Sequence, residues 1–161
     1  EMSASLVGSE MCIRDRMEGI CRQMQEKNTS PDVAITFTEK AEECILNTDR
    51  VRLSQVIINF TNNAMKFTPK GSIQMGYRID EAKDEIYFYV KDTGIGIPED
   101  KINEVFERFV KLNTFAKGTG LGLAICRVIV ERLGGTIGAD SKEGEGSCFW
   151  FRLPITQKSN N

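Results

Sequence analysis

A long amphipathic segment between residues 49 and 67 limits which folds this chain can adopt. Its apolar residues recur at spacings of three and four, the period of an α-helix with one buried face. They are Leu53, Val56, Ile57, Phe60, Ala64 and Phe67. Asp49 occupies an N-cap position, and Thr68-Pro69-Lys70-Gly71 ends the pattern. A helix with such a stripe requires an apolar surface from the rest of the chain.

Several other segments are predicted to be strands, and residues 33–38, 72–79 and 85–91 alternate apolar and polar residues as half-buried strands do. The predicted strands are residues 33–38, 44–47, 72–79, 85–91, 136–140 and 147–153. Further helices are predicted over 17–27, from near Glu99, and from Gly118 to Leu133. The sequence therefore predicts an α+β fold. We expect a two-layer α/β sandwich, with a mixed, mostly antiparallel sheet of about five strands packed on about three helices.

The length of 161 residues indicates one domain. Residues 1–16 show no clear period, so we expect a leader outside the domain, of the kind that cloning or sequence assembly leaves. The domain itself is predicted over residues 17–156. Residues 157–161 are expected to be a flexible tail.

Composition excludes several classes of function. The chain contains no histidine, so a Ser-His-Asp triad, a Cys-His nucleophile and an H-E-x-x-H zinc site are all impossible within it. A net charge of -2 gives no electrostatic reason to expect nucleic acid or an anionic membrane as the partner. Five cysteines without a C-x-x-C pair indicate free thiols in a reducing cytosol. No apolar run approaches the roughly 20 residues that cross a bilayer, so we expect a cytoplasmic domain without direct membrane contact.

The long helix also carries a polar stripe next to its apolar one. Asn59, Asn63 and Lys66 lie on it at helical spacing. An amide oxygen is a hard ligand suited to Mg²⁺, and a lysine neutralises phosphate, so the stripe suits a metal-bound polyphosphate. Taken alone, the same stripe is also typical of an ordinary polar helix edge.

A glycine-rich loop follows the second strand of the predicted hairpin. It begins with Asp92 and contains Gly94 and Gly96. A carboxylate at the floor of a pocket accepts a hydrogen bond from the exocyclic amine of adenine and repels the carbonyl oxygen of guanine. Glycines let the backbone approach a ligand closely. A loop that merely caps a strand would have the same D-x-G-x-G pattern.

A second glycine cluster precedes the last predicted helix. Gly118, Gly120 and Gly122 place unpaired backbone N–H groups at a helix N-terminus, where phosphate oxygens bind. The spacing matches neither the P-loop nor G-x-G-x-x-G, and a flexible hinge is the alternative. Phe106 and Phe109 are more typical of core than of a cofactor site. Lys111 borders residues 112–117, which are predicted to form a mobile loop, and is placed to contact a phosphate.

Four motifs occur together in a known order. NFTNNAMKFT (59–68), DTGIGIP (92–98), FERFVK (106–111) and GTGLGLAI (118–125) resemble the N, G1, F and G2 boxes of sensor histidine kinases. GEGSCFWFRLP (144–154) is similar to the closing segment of that family. The resemblance extends from about residue 17 to 155. It implies the ATP-binding catalytic domain of such a kinase, with the sandwich shared by gyrase-type ATPases, 90-kDa chaperones and mismatch-repair ATPases.

The resemblance implies roles for individual residues. Asn63 matches the Mg²⁺ ligand, and Asn59 matches the other box asparagine near the phosphates. Phe67 is implied to lie beside adenine and Asp92 to accept its amine. The other implied nucleotide contacts are Lys66, Lys70, Gly94, Gly96, Ile97, Lys111, Gly118, Thr119, Gly120, Leu121 and Gly122. The implied catalytic residues are Asn59, Asn63, Lys66 and Lys111. The family often has arginine at position 111, and lysine lacks its bidentate fork.

One residue favours a particular phosphoryl acceptor. Related ATPases activate water with a glutamate one helical turn before the Mg²⁺ asparagine, and Asn59 at that position is not a base. Transfer to a protein side chain is therefore predicted, by family a histidine. That histidine must lie on a separate dimerisation domain, with relay to a response regulator. The parent is expected to be a homodimer anchored in the bacterial inner membrane, and the isolated domain a monomer. The alternatives are an anti-sigma-type serine/threonine kinase and a nucleotide-binding module without catalysis.

Overall fold

The computed structural model describes residues 9–40, 43–107 and 122–155. In chain order the elements are β1 (Ser9–Cys12), α1 (Ile13–Lys27), β2 (Val33–Lys40), β3 (Ile45–Thr48), α2 (Arg50–Phe67), β4 (Gly71–Asp80), β5 (Glu85–Asp92), a 3₁₀ helix (Glu99–Glu104), α3 (Gly122–Arg132), β6 (Thr136–Lys142) and β7 (Gly146–Pro154).

The main sheet has five strands in the order β2-β4-β5-β7-β6. The β2–β4 pair is parallel, and the other three pairs are antiparallel. β1 and β3 form a separate two-stranded antiparallel sheet. The predicted α+β sandwich with a mixed, mostly antiparallel sheet is therefore confirmed.

Helix α2 forms where the apolar stripe predicted it. The Asp49 carboxylate accepts a hydrogen bond from the backbone N–H of Arg52 at 3.1 Å, which caps the helix start. The buried positions within it are Leu53, Val56, Ile57, Phe60, Thr61 and Ala64. Thr61 is tolerated there because its hydroxyl donates to the carbonyl of Ile57 at 2.9 Å.

Aromatic side chains join α2 to the sheet. The Phe60 ring lies 5.6 Å from the ring of Phe149 and 6.0 Å from that of Phe151, both on β7. Phe151 in turn stacks on Phe88 of β5 at 4.7 Å. These centroid distances lie in the range of favourable aromatic pairs. The helix is therefore fixed over β5 and β7, the two strands whose ends form the site described below.

The start of the domain differs from the prediction. Residues 9–16 were expected to lie outside the domain, but β1 pairs with β3 and α1 begins at Ile13 rather than near residue 17. Met11 and Ile13 are buried. The physical reason is that Ile13 extends the stripe of Met17, Ile20 and Met24 upstream at helical spacing. Other strand ends differ from the predicted ones by one or two residues.

Within the described ranges, no helix is long and apolar enough to span a bilayer.

We predict that Phe60→Ala lowers the free energy of unfolding by about 3 to 5 kcal/mol. Phe60 is fully buried, and its removal leaves a cavity between α2 and β7. Val51→Ala on the same helix is the control, because Val51 is 72% exposed and should change stability by less than about 0.5 kcal/mol. Guanidinium denaturation measures both variants. Equal effects of the two substitutions would contradict the assignment of Phe60 to the core.

Candidate functional site

A narrow cavity lies where the C-terminal half of α2 meets the end of β5 and the start of β7. Its lining combines one carboxylate, one amide, one hydroxyl and apolar groups. The lining residues are Asn63, Phe67, Asp92, Ile95, Gly96, Ile97, Ser147 and Phe149. Of the predicted site residues, the structure therefore brings together Asn63, Phe67, Asp92, Gly96 and Ile97.

Asp92 is the polar centre of this cavity. It is the last residue of β5 and only 4% exposed. One carboxylate oxygen, Oδ1, accepts hydrogen bonds from the backbone N–H groups of Gly94 at 2.9 Å and Ser147 at 3.2 Å. Among the described residues, no backbone N–H donates to the second oxygen, so it can still accept from a donor on a ligand.

The environment of Asp92 affects its ionisation in two opposing ways. Burial raises the pKa of the Asp92 carboxyl, because the charged form loses its hydration. The amides of Gly94 and Ser147 and the neighbouring Thr68 hydroxyl stabilise the charged form and lower that pKa in part. The two N–H donors therefore stabilise a carboxylate that is almost completely buried.

The loop after β5 is held by backbone contacts on both sides. The N–H of Ile95 donates to the carbonyl of Phe67 at 3.0 Å, and the N–H of Gly144 donates to the carbonyl of Ile95 at 2.7 Å. A Cβ on Gly94 would lie 2.1 Å from the carbonyl oxygen of Phe67. Gly96 has a φ of +75°, and its Cβ would lie 2.2 Å from the carbonyl oxygen of Lys142. Both glycines are thus required by close backbone approach.

Asn59 lies one turn before Asn63 and faces a different neighbour. Its amide nitrogen donates to the thiol sulfur of Cys126 on α3 at 3.5 Å. Burial raises the pKa of the Cys126 thiol to about 12, so the thiol stays neutral at physiological pH. The structure therefore places Asn59 between α2 and α3 rather than in the lining of the cavity.

The remaining predicted residues lie around the cavity or outside the described ranges. Lys66 and Lys70 are exposed at the end of α2 and beyond it, and Gly122 is the exposed first residue of α3. Lys111, Gly118, Thr119, Gly120 and Leu121 lie outside the described residues, as does Phe109. Phe106 packs edge-on against Phe149 at 6.1 Å, which confirms the prediction that it is a core residue.

Part of the site was not predicted from the sequence. Ile95, Ser147 and Phe149 line the cavity, and Thr68 lies beside Asp92. The signal for Ser147 would have been the pairing of β5 with β7, which sets Asp92 opposite Ser147. That register joins residues 55 positions apart, and alternation of apolar residues within one strand carries no information about it.

Comparison with known proteins agrees with this geometry. A family model described as histidine kinase-, DNA gyrase B-, and HSP90-like ATPase matches residues 48–157. The chain belongs to this ATPase family.

The curated relatives of this ATPase domain are sensor kinases. The autoinducer 2 sensor kinase/phosphatase LuxQ of Vibrio vulnificus is 40% identical over 121 residues, covering 70% of this chain and 14% of that protein. The sensor histidine kinase RcsC of Escherichia coli is 41% identical over 123 residues, covering 74% of this chain and 13% of that protein. The chain thus spans less than a fifth of the length of these relatives and corresponds to their histidine kinase catalytic domain.

Solved structures give the same family. Full-length ShkA in complex with AMPPNP superposes with a TM-score of 0.86 at 28% identity, covering 94% of this chain and 32% of that chain. The catalytic domain of histidine kinase ThkA gives a TM-score of 0.79 at 29% identity, covering 92% and 96%. The fold of this ATPase domain is therefore that of histidine kinase catalytic domains.

We predict that Asp92→Asn stabilises the ligand-free domain at neutral pH while it weakens ATP binding. The asparagine oxygen can accept from both amides, and no charge is buried. If residue 92 accepts from the adenine amine, as the family resemblance implies, the asparagine NH₂ would place a donor where an acceptor is required. Calorimetry should show that the variant binds ATP about tenfold more weakly than the wild-type domain, or weaker still.

The pH dependence of unfolding gives a second check on the same variant. Because folding raises the pKa of Asp92, its contribution to stability is full below the unfolded pKa of about 4 and is lost as pH rises through the folded pKa. The stability gained by Asp92→Asn should therefore grow with pH above about 4 and then level off. Guanidinium denaturation at several pH values measures it, with exposed Asp100→Asn as the charge-matched control. A gain that shrinks as pH rises would contradict the raised pKa.

Proposed function

We propose that this domain binds Mg-ATP and transfers the γ-phosphoryl group to a histidine on a separate dimerisation domain, for relay to a response regulator. The observation that carries the proposal is the buried Asp92 carboxylate, which lines the cavity and whose Oδ1 accepts from two backbone amides. The proposal concerns an activity of the parent protein, of which this chain supplies the catalytic part.

The donor set of the cavity fits adenine. Oδ2 of Asp92 accepts from the 6-amino group, whereas a 6-oxo group would place two acceptors against each other. The apolar lining of Ile97 and Phe149 suits a flat heterocycle.

The polar stripe of α2 fits the metal-bound phosphates. Asn63 lines the cavity and offers an amide oxygen, a ligand type that Mg²⁺ accepts together with phosphate oxygens and waters. When bound, Mg²⁺ supplies charge neutralisation and orients the transferring phosphoryl group. Lys66 and Lys70 are exposed nearby in sequence and are proposed to contact phosphate. Lys111 and the segment 118–122 are proposed phosphate contacts on the grounds of the family resemblance.

One feature favours transfer to a protein over hydrolysis. Asn59 is a neutral amide that donates to Cys126, and it has no capacity to take a proton from water. The chain contains no histidine, so a histidine acceptor has to come from another segment or another molecule.

A solved complex of the neighbour ThkA with the response regulator protein TrrA supports the proposed relay. Three points stay predictions. The parent is a homodimer, it is anchored in the membrane with this domain on the cytoplasmic side, and the isolated domain is a monomer.

Phosphotransfer in vitro tests the proposal. The domain is incubated with Mg²⁺, ATP labelled on the γ-phosphate, and a dimerisation-domain fragment from the relative RcsC or LuxQ. We expect acid-labile, alkali-stable label on the fragment and none on a fragment whose histidine is replaced by alanine. Acid-stable label would indicate a serine/threonine kinase, and tight ATP binding without transfer a non-catalytic nucleotide-binding module; either result would contradict the proposal.

We predict that Asn63→Ala removes the Mg²⁺ dependence of ATP binding, because its amide oxygen is the proposed protein ligand of the metal. Calorimetric titrations with ATP in Mg²⁺ and in EDTA measure that dependence. Asn62→Ala is the matched control: the Asn62 side chain accepts from Lys27 at 3.1 Å instead of lining the cavity, so the dependence should be retained. If the dependence survives in Asn63→Ala, the metal ligand lies elsewhere.

A further inference from the structure

Ser141 lies outside all the motifs discussed so far, near the end of β6. Its side-chain oxygen has three hydrogen-bonding contacts. It is 2.7 Å from the backbone nitrogen of Ile97, 2.9 Å from the carbonyl oxygen of Gly146, and 2.8 Å from the hydroxyl oxygen of Ser147. Two of these three groups, Ile97 and Ser147, belong to residues that line the cavity.

The contacts of Ser141 determine where each proton lies. A hydroxyl has one proton to donate and two lone pairs to accept with. The carbonyl of Gly146 can only accept, so the Ser141 proton must point to it. The N–H of Ile97 can only donate, so it uses one lone pair of Ser141. The short contact with Ser147 then requires that Ser147 donates its proton to the second lone pair.

This proton order has a consequence for the cavity. Once the Ser147 proton is committed to Ser141, the Ser147 oxygen offers only lone pairs to a ligand. The free oxygen of Asp92 is also an acceptor. Ser147 and Asp92 are paired across β5 and β7, so the two acceptors lie at the same end of the sheet.

We propose that Ser141 is a specificity-determining positioning residue, which orients the Ser147 hydroxyl so that Ser147 presents only an acceptor beside Asp92 in the base pocket. An amino group, with two protons, satisfies two acceptors, whereas a carbonyl oxygen at the same position would satisfy neither. Ser141 thereby strengthens the preference for a 6-aminopurine without touching the nucleotide. The inference rests on the proposed nucleotide function of the site.

The same residue also fixes the wall of the pocket. Its bond to the N–H of Ile97 and the bond from Gly144 to the carbonyl of Ile95 hold the glycine loop against the turn between β6 and β7. Ile97 is buried at 4% exposure. Loss of the serine hydroxyl should therefore alter base recognition at a point remote from the phosphates.

Base selectivity tests this inference. Calorimetry gives the dissociation constants of ATP and of inosine triphosphate, which has a 6-oxo group in place of the 6-amino group, for the wild-type domain and for Ser141→Ala. We expect the variant to bind ATP about three- to tenfold more weakly and inosine triphosphate no more weakly, because the released Ser147 proton can donate to the 6-oxo group. The ATP preference should fall accordingly.

Three further variants control the experiment. Ser141→Thr keeps the hydroxyl and should restore the preference. Ser54→Ala removes a serine whose hydroxyl donates to the carbonyl of Arg50 on the outside of α2, and it should leave both constants unchanged. If Ser141→Ala does not fold, Ser147→Ala, which removes the acceptor itself and keeps the Ser141 contacts to Ile97 and Gly146, should show the same loss of ATP affinity.

The outcomes separate this inference from the function on which it rests. If the wild-type domain binds ATP selectively and Ser141→Ala weakens both nucleotides equally, Ser141 is merely structural and the inference is wrong, while the proposed function stands. If the wild-type domain binds neither nucleotide, both are overturned.

Discussion

A buried carboxylate loses its hydration, and in this domain the compensation for Asp92 comes from two separate parts of the chain. The N–H of Gly94 belongs to the loop that follows β5, and the N–H of Ser147 belongs to β7. Both bonds fall on the same oxygen, which leaves the other oxygen for a ligand. The site therefore exists only when β5 and β7 are paired in this register and the glycine loop is folded back, so the pocket depends on the complete domain.

Helix α2 serves the fold and the site with different faces. Its apolar face packs Phe60 onto β7, while its polar face brings Asn63 to the cavity. The helix also receives the glycine loop, since the carbonyl of its last residue, Phe67, accepts from Ile95. Packing of α2 on the sheet thus sets the distance between the proposed metal ligand and the proposed base-reading carboxylate.

Periodicity and motif order predicted the parts of this arrangement that are local in sequence. The stripe of α2, the Asp49 cap, the strands and the place of Asp92 at a strand end all follow from neighbouring residues. The contacts of Ser141 and Ser147 were not predictable, because they depend on register between distant strands. The contact of Asn59 was not predictable for the same reason. Its position on the helix was predicted, but its hydrogen bond to Cys126 depends on how α3 packs on α2. The start of α1 at Ile13 was not predicted, because a single position, Ile13, extends the apolar stripe of that helix upstream.

The central claim is that the free oxygen of Asp92 reads the adenine amine. The most direct measurement is a crystal structure of this domain with Mg²⁺ and a non-hydrolysable ATP analogue. We expect the exocyclic amine within hydrogen-bonding distance of Asp92, with both backbone amides still on the other carboxylate oxygen and the triphosphate directed toward Asn63. A nucleotide whose base lies away from Asp92, or whose amine faces a different acceptor, would contradict it.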